Sequence, residues 1–182
     1  MKRTTLVALA VVTPMLFSCA SLVGSREVDI PLTTLQEAVE KKFPYSNSVL
    51  ALLDIDLSRP ALSLLPDKNR VQISMDTLIA PVLLNRSWTG NFTVSGNLAL
   101  DPANAAVVLA SPRVEQLILD GADPTMVAQA RKVGNVFIGE ILSDVPLYKF
   151  DPKKLTFAGV RMTPTTIETK ADRLVVTFEP VR

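Results

Sequence analysis

Histidine is absent from the 182 residues, and cysteine occurs once, at Cys19. Without histidine there is no Ser-His-Asp or Cys-His catalysis, and a soft-metal site would lack its usual ligands. One cysteine forms no internal disulfide. Aromatic residues make up only 5% of the chain, so the core must be filled by leucine, valine and isoleucine. Charge is nearly balanced, 19 basic against 18 acidic groups, which leaves no electrostatic footprint for nucleic acid. Nor does the sequence contain a basic block that would hold anionic lipid. No apolar run approaches the roughly 20 residues of a permanent membrane-spanning helix. No low-complexity tract or internal repeat stands out, and no cofactor or metal is expected.

What is present begins with Lys2 and Arg3 ahead of a mostly apolar segment, Leu6 to Val12, broken by Thr13 and Pro14. That is the order of a removable secretory signal. Leu16, Phe17, Ser18 and Cys19 resemble the lipobox of bacterial lipoproteins, with Phe17 bulkier than the usual residue at its position. The resemblance implies a diacylglyceryl group on the Cys19 sulfur, cleavage before it and acylation of the new amino group. A free thiol in a signal cut elsewhere is the plainer alternative. Two or three acyl chains anchor stably where one does not, each buried methylene contributing about 0.8 kcal/mol. By the same resemblance, Ala20 rather than aspartate after the cysteine implies sorting to the outer membrane, facing the periplasm. The expected organisation is a signal peptide over residues 1–18, an acylated tether over 19–29 and a single domain over 30–182.

Within that domain the hydrophobic period changes twice. Pro31 to Phe43 places Leu32, Leu35, Val39 and Phe43 at helical spacing, ended by Pro44. From Val49 to Leu119 the period is two, punctuated by Pro, Gly, Asn and Asp, as in an antiparallel meander. Val49, Ala51, Leu53, Ile55 and Leu57 share one strand face; Val71, Ile73 and Met75, then Phe92, Val94, Leu98 and Leu100, repeat the pattern. A bend is expected at Pro112. Asp123-Pro124 is a strong helix start, and a long helix is expected over Pro124 to Ser143. Its apolar stripe is wide enough to predict cover on more than one side. Gly134 and Gly139 each cost about 1 kcal/mol there relative to alanine, which points to close packing or a bound group. Two strands, Lys154 to Lys170 with a break near Pro164 and Arg173 to Pro180, finish the chain.

The predicted fold class is α+β, a long curved antiparallel sheet wrapped around the long helix, with an added amino-terminal amphipathic helix. The phrases "IPLTTLQEAVEKKFPY" and "FIGEILSDVPLYKFD", with the lipobox, resemble the YceB-like bacterial lipoprotein family, a domain family of unknown function. That family is similar in architecture to the tubular lipid-binding proteins, which implies lipid or fatty-acid binding between sheet and helix. The residues assigned to such a groove, inferred from the pattern alone, are Leu53, Ile55, Ile73, Phe92 and Val94 on strands, with Val127, Ala130, Gly134, Phe137 and Ile141 on the long helix. A plain packed core is the competing explanation of the same stripe. Trp88 is either a sheet-edge plug or a lip of the groove.

Other motifs are weaker. Asp54 and Asp56 share a strand face and could act as paired carboxylates, but they alternate with apolar neighbours as a solvated face does. "DGADP" (Asp120 to Pro124) is too short for the six or more oxygens of a calcium site. Asn85-Arg86-Ser87 and Asn91-Phe92-Thr93 match the glycosylation pattern but serve as turn and strand polar residues. The expectation is a non-enzymatic lipoprotein, held to the membrane through Cys19, that binds one hydrophobic ligand. The alternative is a structural or adaptor lipoprotein with an envelope protein as partner and no ligand. A hydrolase of envelope polymers requires Asp54 and Asp56 to face a cleft.

Overall fold

A computed structural model describes residues 24–49, 53–83, 85–142 and 146–181. The elements in chain order are β1 (Arg26–Pro31), α1 (Leu32–Glu40), β2 (Tyr45–Val49), β3 (Leu53–Leu65), β4 (Arg70–Pro81), β5 (Trp88–Asp101), β6 (Ala106–Leu119), α2 (Pro124–Leu142), β7 (Pro146–Lys149), β8 (Thr156–Phe157), β9 (Val160–Thr169) and β10 (Arg173–Pro180). They form a six-stranded sheet, β2-β3-β4-β5-β6-β7, and a four-stranded one, β1-β10-β9-β8, with every described pairing antiparallel.

This corrects the expected architecture. The chain is mostly strand, in two curled half-barrel sheets, and no single sheet wraps a long helix. The closing strands do not extend the meander. They form a second sheet in which β10 pairs with β1, a strand that begins within the expected tether, through a register that sets Ile30 against Leu174 and Val28 against Val176. Helix α2 lies mainly on β6, and its Val136 is 72% exposed. Cover on more than one side is therefore overturned as well. The strand predicted from Val49 through Leu57 is a hairpin, with Val49 opposite Leu53 and Tyr45 opposite Leu57.

Bulges curve the larger sheet, and the helices dock on them. In β3, Ser58 pairs with Asp76 but Ala61 pairs with Ser74, so one extra residue intrudes near Arg59, whose φ is 49°. The extra residue flips the alternation: Leu57 faces inward before it, Leu62 and Leu64 after it. Gln36 of α1 satisfies the disturbed backbone. Its amide nitrogen donates to the Pro60 carbonyl at 2.6 Å, and its oxygen accepts from the Leu62 amide at 2.8 Å. In β6, Glu115 is the extra residue, because Gln116 faces Thr93 while Val114 faces Val94. There Asn135 of α2 accepts from the Val114 amide at 2.9 Å. Asn135→Ala leaves that buried amide without its partner, at a cost of about 1 kcal/mol. The expected result is a lower urea midpoint and faster hydrogen exchange at Val114, with other β6 amides unchanged.

One core joins both sheets. Leu35 and Val39 of α1 pack with Ile30, Leu174, Val176 and Phe178 of the smaller sheet and with Val71, Ile73, Val94 and Leu109 of the larger. Asn69, at φ 46° in the β3–β4 turn, ties the sheets by accepting from the Thr169 amide at 2.8 Å and hydroxyl at 2.6 Å.

Candidate functional site: an apolar cleft under the second helix

Between α2 and the face of the larger sheet runs a cleft with about 60 Å³ of free space. Its sheet wall is Leu53, Ile55 and Leu57 of β3, Thr77 and Ile79 of β4, Phe92 of β5 and Leu117 of β6. The helix wall is Ala130, Val133, Gly134 and Ile138. Because β3 turns its parity only after Leu57 and β4 keeps strict alternation to Ile79, these side chains project to one side of the sheet. The helix stripe follows the 3.6-residue period. Among the described wall residues Thr77 is the one polar side chain and none is ionisable. Such a surface can hold apolar matter by burial.

Gly134 and Gly139 are not demanded by close packing. A Cβ on Gly134 would meet Val114 Cγ2 at 3.5 Å and Phe92 Cε2 at 3.9 Å, ordinary contacts, and one on Gly139 would meet nothing within 4 Å. The small size of Gly134, on the cleft wall, leaves room between helix and sheet. A water needs only about 10–15 Å³ of such space, so the cleft as it stands admits a few methylene-sized groups, the end of an acyl chain rather than its length. A whole chain requires α2 to shift on β6.

Leu53, Ile55, Phe92, Ala130 and Gly134 stand together on the cleft wall. Ile73 and Val94 lie farther along the same face, closed in the core at 4% and 0% exposure. Val127 packs against the core without bordering the cleft. The side chains of Phe137 and Ile141 lie outside the described residues, as does Cys19. Leu57, Thr77, Ile79, Leu117, Val133 and Ile138 were not among the residues assigned from sequence. The alternation of β4 continues unbroken past Met75, a signal that would have reached Thr77 and Ile79. Trp88 is buried opposite Ile79 at the start of β5, on the same face of the sheet and beside the cleft wall.

Asp54 and Asp56 are on the outer side of β3. Asp54 accepts a hydrogen bond from the Ser48 hydroxyl, and Asp56 borders a polar hollow with Asp76, itself paired with Arg59. They do not face the apolar cleft; together they border a separate open hollow with Ser46, Asn47 and Ser48. Among the described residues no group of three or more His, Cys, Asp or Glu is placed to hold a metal, and no helix is long and apolar enough to cross a membrane.

Titration acts on the frame rather than the cleft. Asp123 accepts from the Thr125 amide at 2.8 Å, and its hydrogen bonds to Thr125 hold its carboxyl below the usual aspartate value. Glu115 is lowered in the same sense by the Ser95 hydroxyl and then by Arg113. Both folded pKa values lie below the unfolded ones. Their stabilisation is therefore complete above the ordinary carboxylate range near pH 4 and is lost as pH falls through the lowered values. Melting temperature should drop on acidification below about pH 4, less steeply in Asp123→Asn.

A family model described as "Protein of unknown function (DUF1439)" matches residues 32–173. No curated protein matches the chain. Among solved structures, the crystal structure of a lipopolysaccharide binding protein aligns at 14% identity and a TM-score of 0.28, covering 87% of this chain and 50% of that one. The chain thus spans about half the length of that protein, and a likeness of this size carries nothing about ligand or mechanism here.

Proposed function

The chain belongs to the DUF1439 family, whose description assigns no activity, and we propose that it is a non-enzymatic, membrane-anchored lipoprotein that takes the acyl end of a lipid or fatty acid into the cleft under α2. The observation that carries this reading is the cleft wall, apolar at every described position but Thr77. Burying an acyl end there is favourable at about 25 cal/mol per Å² of apolar surface removed from water, and the helix glycines make the shift of α2 inexpensive in contacts. The anchor rests on Leu16 to Cys19, with the outer membrane facing the periplasm as its address.

Titration with an environment-sensitive fluorescent fatty acid is the experiment. A saturable signal at one probe per chain, displaced by unlabelled fatty acid and abolished by filling the cleft, is expected. A signal that does not saturate, or that is indifferent to cleft substitutions, overturns the reading.

A second reading, an adaptor for another envelope protein, is favoured by Leu83, 83% exposed beside exposed Val82 beyond the end of β4. It predicts that Val82→Ser with Leu83→Ser abolishes partner capture while fatty-acid binding is unchanged.

A further inference from the structure

A second hollow, of about 390 Å³, lies at the other end of the larger sheet. Leu117 of β6 borders the cleft, whereas Ala106 of the same strand pairs with Lys149 on the wall of this hollow. At about 3.3 Å per residue the two sites are separated by at most roughly 36 Å along the strand. Tyr148, Phe150, Phe157 and Phe178 line the hollow, a concentration that stands out in a chain with 5% aromatic residues. Phe150 makes edge contacts with Tyr148 and Phe178, each at 5.0 Å between ring centres, and the Arg26 guanidinium sits 3.3 Å over the Phe157 ring.

The charge here is assembled by folding. Arg26, Lys149 and Lys154 line the hollow; Lys153 adjoins Lys154, and Arg161 pairs with Thr156 beside it. Against these five stand Glu27 and Asp151 on the wall and Glu179 next to Phe178. Four of the five fall within Lys149–Arg161, spaced by Asp151 and apolar residues rather than run together as one block, and folding adds Arg26 from the other end of the domain. Large apolar side chains are exposed on the same end: Val28 and Phe157 at the rim, and Val181, whose amide donates to the Arg161 carbonyl. Aromatic and basic residues together at one surface are the composition of a membrane interface. Arg26 also stands only seven residues beyond Cys19, a reach of at most about 25 Å.

We propose that this end is a membrane-docking face, in which the aromatic hollow seats a phospholipid headgroup with its phosphate against Arg26, Lys149 and Lys154. The proposal rests on the anchored reading above, since the docked membrane is the one that holds Cys19. Docking turns the cleft, at the other end, away from that surface.

The full chain is mixed with vesicles of phosphatidylethanolamine and phosphatidylglycerol carrying brominated acyl chains. Its single tryptophan, Trp88, lies beside the cleft and reads a brominated acyl end entering it, whereas Phe157→Trp adds a reporter on the docking face. The added emission should be quenched, and Lys149→Glu with Lys154→Glu should weaken that quenching at least about tenfold while leaving Trp88 unchanged. An added emission that is not quenched, or quenching of it that survives the charge reversal, overturns the docking face, whereas loss of Trp88 quenching alone bears on the cleft. Flotation at about 1 M salt, where charge attraction is screened beyond about 3 Å, reads the anchor separately. A chain that floats there with Phe157→Trp never quenched keeps the anchor and loses the docking face. One that is quenched at low salt but released at high salt keeps the docking face and loses the anchor.

Discussion

Gly90→Ala is expected to destabilise the fold by at least about 3 kcal/mol, a fall in melting temperature of roughly 6 to 12 °C for a domain of this size. Gly90 of β5 pairs with Leu119 of β6. A Cβ there would fall on the Ile118 carbonyl oxygen and lie 3.0 Å from Leu119 Cα. Both obstacles are backbone, so no rotamer change relieves them, and the strands must part. That pairing also closes the turn into α2, where the Asp120 amide donates to the Thr89 carbonyl at 2.8 Å. The loss therefore spreads to the helix that forms the cleft. Gly139→Ala is the contrast: its Cβ meets nothing, and the gain in helix propensity should stabilise by up to about 1 kcal/mol. Thermal melts of the two variants beside the parent check both signs. A Gly90→Ala protein that melts within a degree or two of the parent would mean that β5 and β6 do not approach this closely.

The second large effect is on ligand. Gly134→Leu puts an isobutyl group into a cleft of about 60 Å³, directly toward Val114 and Phe92. The side chain takes the place of an acyl end, so fatty-acid affinity should fall at least about tenfold, the 1.4 kcal/mol equivalent of losing about two buried methylenes. The fold should survive, because the helix gains propensity against an overpacking cost of about 1–3 kcal/mol. Gly134→Ala separates the two contributions. Its Cβ fits at ordinary contact distance, so it should stabilise while binding weakens much less. Calorimetric titration of parent, alanine and leucine variants resolves the series. Undiminished binding by the leucine variant would place the ligand elsewhere.

Local pattern foretold the elements that obey one period throughout. β4 alternates from Val71 to Ile79, and α2 begins at the predicted Pro124. It failed where one residue breaks the period: the bulge near Arg59 shifts inward positions from Leu57 to Leu62, and no residue type there announces it. Short or exposed strands were invisible for a different reason. β1 has only Ile30 buried among six residues, and β7 has four residues in all, so neither carries an alternation long enough to detect. The division into two sheets depends on β1 meeting β10, a pairing of the two ends of the domain that local pattern does not encode. The cleft was partly legible for the same reasons. Leu53, Ile55, Phe92, Ala130 and Gly134 follow from face and period, whereas the exclusion of Ile73 and Val94 depends on how far along the sheet α2 extends. The basic residues of Lys149–Arg161 are near one another in sequence, and only the addition of Arg26 to them depends on folding.

Native mass spectrometry of the full chain, extracted from its producing membrane, bears most directly on the central claim that the cleft holds an acyl ligand. The denatured mass reads covalent acylation at Cys19, and the excess of the native over the denatured mass reads a non-covalent occupant. The account predicts one lipid-sized excess per chain, present in the parent and lost in Gly134→Leu. A native mass equal to the denatured one, unchanged after incubation with envelope lipids, would contradict it.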